Sequence, residues 1–139
     1  MRVVIQSSTP TPSGSSGAPA GRILVVDDNA DAAESLSDLL QLLGYESRTA
    51  GEATAALEQI EAFRPQVALL DIGLPGIDGY ELARRVRARP EGAGLKLVAL
   101  TGYGQASDRA RALEAGFDDH LVKPVSIDRL TDLIARFLA

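Results

Sequence analysis

Residues 21–29 read Gly-Arg-Ile-Leu-Val-Val-Asp-Asp-Asn, and this stretch decides the fold. Ile23-Leu24-Val25-Val26 is a continuous apolar run that ends at two aspartates. A strand wetted on one face alternates apolar and polar residues, whereas an unbroken run marks a strand covered on both faces, as in a parallel sheet. The pattern recurs. Val67-Ala68-Leu69-Leu70 ends at Asp71, and a third apolar strand, Leu95 to Leu100, ends at Thr101; a further short strand, His120-Leu121-Val122, ends at Lys123-Pro124. A weaker strand is read at roughly Glu46 to Thr49.

Helical periods fill the intervals. Leu36, Leu39, Leu40 and Leu43 repeat at i, i+3, i+4, i+7, with Gly44 as a stop. Ala53, Ala56, Leu57 and Ile60 do the same before Pro65. Asp78 is placed to cap a helix carrying Leu82 and Val86 on one face, and Pro90 bars its continuation. Ser107 is placed to cap a helix through Ala115, which Gly116 terminates. Ser126 starts a last helix with Ile127, Leu130, Ile134 and Phe137 expected inward. Five strand–helix repeats predict an α/β fold: a doubly wound five-stranded parallel sheet, flavodoxin-like (βα)5, with right-handed crossovers.

Composition bounds the function. The chain has 139 residues, 14 Lys and Arg against 19 Asp and Glu, a net charge of −5, no Cys and one His. No disulfide or Cys-based metal site is possible. A net acidic chain is ill suited to hold a nucleic-acid backbone by its overall field. No stretch approaches the roughly 18 apolar residues of a spanning helix. A cytoplasmic setting is the expectation, with no membrane and no direct nucleic-acid partner. Residues 6–20, QSSTPTPSGSSGAPA, carry no charge and no large apolar side chain. They are read as a flexible linker after a short Val3–Ile5 strand stub, so 1–20 is set apart from a domain over 21–139.

Ligands of open α/β sheets bind outside the carboxyl ends of the strands. There the sequence puts Asp27-Asp28, Asp71, Thr101 and Lys123. Three carboxylates in one cleft repel one another and call for a cation. Oxygen ligands without His or Cys favour Mg2+. Lys123 adds a compact positive charge and Thr101 a hydroxyl. A carboxylate, a hard metal, a lysine and a hydroxyl suit phosphoryl transfer to the carboxylate.

The stretches LVVDDN (24–29), LLDIGLPGIDGYEL (69–82), ALTGYG (99–104) and HLVKPV (120–125) carry a family resemblance. The chain resembles the receiver domain of two-component response regulators across about residues 21–138. The resemblance implies strand order 2-1-3-4-5. It implies Asp71 as phosphoacceptor, with Thr101 and Lys123 contacting the phosphoryl group. It makes Asp28 a direct Mg2+ ligand, Asp27 a direct or water-mediated one and the Gly73 carbonyl another. The Lys123–Pro124 peptide is expected cis, and Gly102 is expected to leave the acceptor accessible. Thr101 and the residue three before the lysine form the family's switch. That residue is often Tyr or Phe; here it is His120, a choice familiar in receivers attached to histidine kinases. The implied partner is a histidine kinase or histidine phosphotransfer protein, and the implied state a monomer or weak dimer. Gly73 and Tyr103 are expected to tune self-dephosphorylation.

Rival chemistries fit the residues worse. A flavodoxin-like FMN carrier needs a phosphate loop where Asp27 and Asp28 stand, and a haloacid-dehalogenase-type phosphatase needs an acid two residues after the nucleophile, where this chain has Gly73. Arg84, Arg85, Arg87 and Arg89 are read as a solvated helix face. The sole His120 lies in a strand pattern, so the phosphoryl donor is expected on another domain or protein. A stand-alone regulator and the receiver of a hybrid histidine kinase both remain open. The five repeats use residues 22–138, so no output domain is expected within the sequence after them.

Overall fold

A computed structural model of the chain describes residues 21–74, 76–102 and 109–138. The linker reading of residues 1–20, the Ser107 cap and Tyr103 fall outside them. The described chain alternates strand and helix: β1 (Arg22–Val26), α1 (Ala30–Leu42), β2 (Glu46–Ala50), α2 (Ala53–Phe63), β3 (Val67–Asp71), α3 (Gly79–Arg87), β4 (Lys96–Thr101), α4 (Arg109–Ala115), β5 (Asp119–Val122) and α5 (Ile127–Leu138). A 3-10 turn at Pro90–Gly92 follows α3, where proline forbids another α-helical turn. The five strands are parallel in the order β2-β1-β3-β4-β5.

The apolar runs divide by parity, as a pleated strand requires. Leu24, Val26, Ala68, Leu70, Leu97 and Ala99 point to one face, under α2, α3 and α4. Ile23, Val25, Val67, Leu69, Val98 and Leu100 point to the other, under α1 and α5. β2 is a sheet edge and mostly wetted, which is why its sequence signal is weak.

The helix ends follow local chemistry. The Asn29 side chain accepts from the Ala32 amide and caps α1; the Asp78 carboxylate accepts from the Glu81 amide and caps α3. Gly44 and Gly116 take positive φ just past α1 and α4, a conformation that costs glycine nothing. Some expected inward positions turn out. Leu43 is the C-cap of α1 and exposed, because the helix has already ended at Leu42. Ile127, expected inward, is 53% exposed in the first turn of α5; the buried stripe begins at Leu130 and runs through Leu133 and Ile134.

The arginine run is also not one solvated face. Arg84 and Arg85 pair with Glu81 on the exposed side of α3. Arg87 instead turns into the molecule. Its guanidinium donates to the carbonyls of Gly116, Gly92 and Leu95 and to Asp118 Oδ2, 2.7 Å away. A rigid planar fork with five donors satisfies several loop acceptors at once.

Candidate functional site

The sheet's carboxyl edge gathers the site. The carboxylate oxygens of Asp27, Asp28 and Asp71 lie within 4.8 Å of one another. They arrive from β1 and β3, which are direct neighbours in the sheet, so the aligned strand ends bring them together. Burial then separates the adjacent aspartates. Asp27 is 3% exposed, Asp28 is exposed and Asp71 is intermediate. Asp27 is fixed at both ends: its amide donates to the Ala50 carbonyl, and its Oδ1 accepts from the Asn29 amide at 3.0 Å.

Lys123 reaches across from the end of β5. Its Nζ donates to Asp27 Oδ2 at 3.0 Å and lies 3.2 Å from Asp71 Oδ2. The Lys123 amide is held by the Thr101 carbonyl, and the Lys123–Pro124 peptide is cis. Burial raises the Asp27 titration, but the Asn29 amide and the Lys123 ammonium together outweigh it and hold the carboxyl below its ordinary value. Burial likewise disfavours the Lys123 ammonium, yet Asp27 and Asp71 overcome it and hold its titration above the ordinary value. Three carboxylates and one ammonium leave two negative charges, a balance suited to a divalent cation bound through oxygen.

Asp71 is presented openly. Its Oδ1 accepts from the Gly73 amide at 2.9 Å, and a cavity of about 350 Å³ lies over it, lined by Gly73, Asp78, Tyr80, Gly102, Arg111 and Lys123. A Cβ at Gly73 would sit 3.5 Å from Asp71 Oδ1, an ordinary contact. Glycine there opens the cavity; its backbone does not demand it.

The side chains of the expected switch residues find their partners outside the carboxylate cluster. Thr101 is buried at the end of β4, and its hydroxyl donates to the Leu121 carbonyl at 3.4 Å. That is long for a hydroxyl donor, so the bond is weak. His120 lies half-buried on β5 opposite Ala99, its Nδ1 3.7 Å from Asp119 Oδ1. It borders a small hollow of about 40 Å³ with Leu113 and Phe117.

The response regulator receiver domain family model matches residues 23–135. The chain belongs to that family. The receiver is 39% identical over 118 residues to the response regulator MprA of Mycobacterium ulcerans. That match takes 85% of this chain and 49% of MprA, so the chain spans about half the length of that relative. A crystal structure of a putative response regulator from Chloroflexus aurantiacus superposes with a TM-score of 0.81 at 38% identity, covering 87% of this receiver and 98% of that chain. The signal receiver domain of a signal transduction histidine kinase from Syntrophus aciditrophicus superposes at 0.76 with 30% identity, covering 85% and 89%. Among the described residues no helix is long and apolar enough to cross a membrane.

Sequence reasoning from strand ends missed Arg111 and Asp78. Neither ends a strand. Arg111 lies one position off the buried Ala112, at the margin of α4's inward face. Asp78 was legible as a cap, not as a cavity wall.

Proposed function

We propose that this receiver is a phosphorylation switch in which Asp71 accepts a phosphoryl group from a phosphohistidine on a histidine kinase or phosphotransfer protein. The carrying observation is the convergence of Asp27, Asp28, Asp71 and Lys123 beneath an open cavity. An Asp71 carboxylate oxygen attacks phosphorus and the donor's P–N bond breaks. The bonding pair stays on the ring nitrogen, which takes a proton from water. Asp27, Asp28 and Asp71, with the Gly73 carbonyl, would hold Mg2+. When bound, the ion neutralises charge on the phosphoryl oxygens. Lys123 then offers its ammonium to a phosphoryl oxygen. Its titration, held upward, keeps it charged throughout the physiological range.

Phosphorylation becomes a signal through Thr101. Its weak bond to the Leu121 carbonyl is readily exchanged for a phosphoryl oxygen. The exchange would shift β4, α4 and β5 between two states and so change affinity for a downstream partner. His120 on β5 takes the switch position. The setting is cytoplasmic, and the state a monomer or weak dimer.

Acetyl phosphate with Mg2+ should label the wild-type chain with an acid-stable, base-labile phosphoryl group. Asp71→Asn should abolish the label; its persistence refutes the assignment. A second reading places this receiver in a hybrid histidine kinase, favoured by His120 and by the similarity to the Syntrophus kinase receiver. The mass of the native polypeptide separates the two readings.

A further inference from the structure

Arg111 lines the acceptor cavity from α4, an element that none of the other charged site residues comes from. Its guanidinium carbon lies 4.3 Å from the centroid of the Tyr80 ring. Tyr80 is buried in the first turn of α3 and is itself steadied edge-on by Phe117, the ring centroids 6.4 Å apart. Among the described residues Arg111 forms no ion pair; the ring face holds it at the rim.

That hold is exchangeable. A cation–π contact at an exposed site is a weaker attachment than charge-assisted hydrogen bonds to phosphoryl oxygens. The planar guanidinium also matches two such oxygens at once, which an ammonium does not. Lys123, the other cation lining the cavity among the described residues, bonds Asp27 and Asp71 and offers one ammonium, which leaves further phosphoryl oxygens to a second cation. A phosphoryl group on Asp71 adds negative charge to a cavity that already holds Asp71 and Asp78, so the Arg111 guanidinium in its lining is drawn toward it.

We propose that Arg111 is a phosphoryl-binding residue, whose guanidinium leaves the Tyr80 ring to engage the oxygens of a phosphoryl group on Asp71. The inference rests on the reading of Asp71 as acceptor. It adds a direct electrostatic tie between α4 and the phosphoryl group, separate from the one through Thr101.

Beryllofluoride, a non-transferable phosphoryl mimic, tests it without chemistry. Titrated into the full chain with Mg2+ and followed by 19F NMR, it should bind R111A about tenfold more weakly than wild type, a modest loss because solvent screens an exposed cation. R111K should recover part of the loss. Mg2+ binding without the mimic should stay within twofold of wild type in both variants, since Arg111 is not among the residues placed around the ion. Wild-type beryllofluoride affinity in R111A overturns the proposal. So does an equal loss of Mg2+ affinity without the mimic, which assigns Arg111 to upkeep of the fold. Absence of beryllofluoride binding in wild type refutes the acceptor reading along with it, so the two failures are told apart.

Discussion

Lys123→Met keeps an unbranched side chain one atom shorter and deletes its charge. The Lys123 side chain is 36% exposed, whereas the Asp27 side chain it bonds is 4% exposed. Stranding a fully buried charge costs about 3–5 kcal/mol. Water reaches this pair from the lysine side, so about 2 kcal/mol is expected here, with divalent metal removed by EDTA. Metal binding should move the other way. Lys123 occupies oxygens of Asp27 and Asp71 that a cation needs, and its loss takes the cluster from two net negative charges to three. In a water-like medium a unit charge pair at contact distance is worth about 1 kcal/mol, or about 2 for a divalent ion. Lysine can swing aside as the ion enters, so the net gain should be about tenfold in Mg2+ affinity, ~1.4 kcal/mol. Urea denaturation in EDTA and in saturating MgCl2 reads the first effect, and isothermal titration with MgCl2 the second. Unchanged stability in EDTA together with unchanged or weaker Mg2+ binding would refute the reasoning.

The same pair sets a pH window. The Asp27 contribution is present above the ordinary carboxyl value of 3.8 and is lost as pH falls through its lowered titration. The Lys123 contribution is present below 10.5 and is lost as pH rises through its raised titration. The stability difference between wild type and K123M should be flat across neutral pH and shrink at both extremes. A difference that grows toward acid would contradict the pairing.

Four other substitutions follow from the packing. Arg87→Ala leaves three carbonyls without the guanidinium and Asp118 with only the Leu97 amide, and should lower stability by about 3 kcal/mol in urea melts; a loss under about 1 kcal/mol would show that water replaces it freely. Gly79→Ala puts a Cβ 2.5 Å from Ile72 Cα and 2.9 Å from the Asp71 carbonyl oxygen, so the acceptor's own backbone must move. It should cost about 2 kcal/mol or more and slow labelling by acetyl phosphate; an unaltered labelling rate would mean that the loop yields without disturbing Asp71. Leu40→Ala should cost about 2–5 kcal/mol, whereas Leu42→Ala, at 85% exposed, should stay within about 0.5, both read from denaturation midpoints.

The parallel sheet was legible because Ile23–Val26 and Val67–Leu70 are unbroken apolar runs, and only burial on both faces selects such runs. The strand order came from the family resemblance, and the ladders β2-β1-β3-β4-β5 bear it out. Periodicity was less reliable at helix ends. It put Leu43 and Ile127 inward, but a period says which residues share a face, not where the neighbouring surface stops. The arginine run misled for a related reason. A charged residue at helical spacing looks solvated until loop carbonyls of Gly92, Leu95 and Gly116 close around it, as they do around Arg87.

The sequence by itself determined the alternation of five strands and helices and the polar residues at the ends of four of the strands. Those are local properties: apolar runs, periods, caps and breakers act on residues close in the chain. Only the tertiary structure decided what the strand ends do to one another. It buried Asp27 and left its neighbour Asp28 in solvent, brought Lys123 within 3.2 Å of two carboxylates from other strands, turned Thr101 to the Leu121 carbonyl, and carried Arg111 back to the acceptor cavity on a helix. Charge interactions depend on distance and burial in space, and residues 96 positions apart, such as Asp27 and Lys123, acquire both only when the sheet closes.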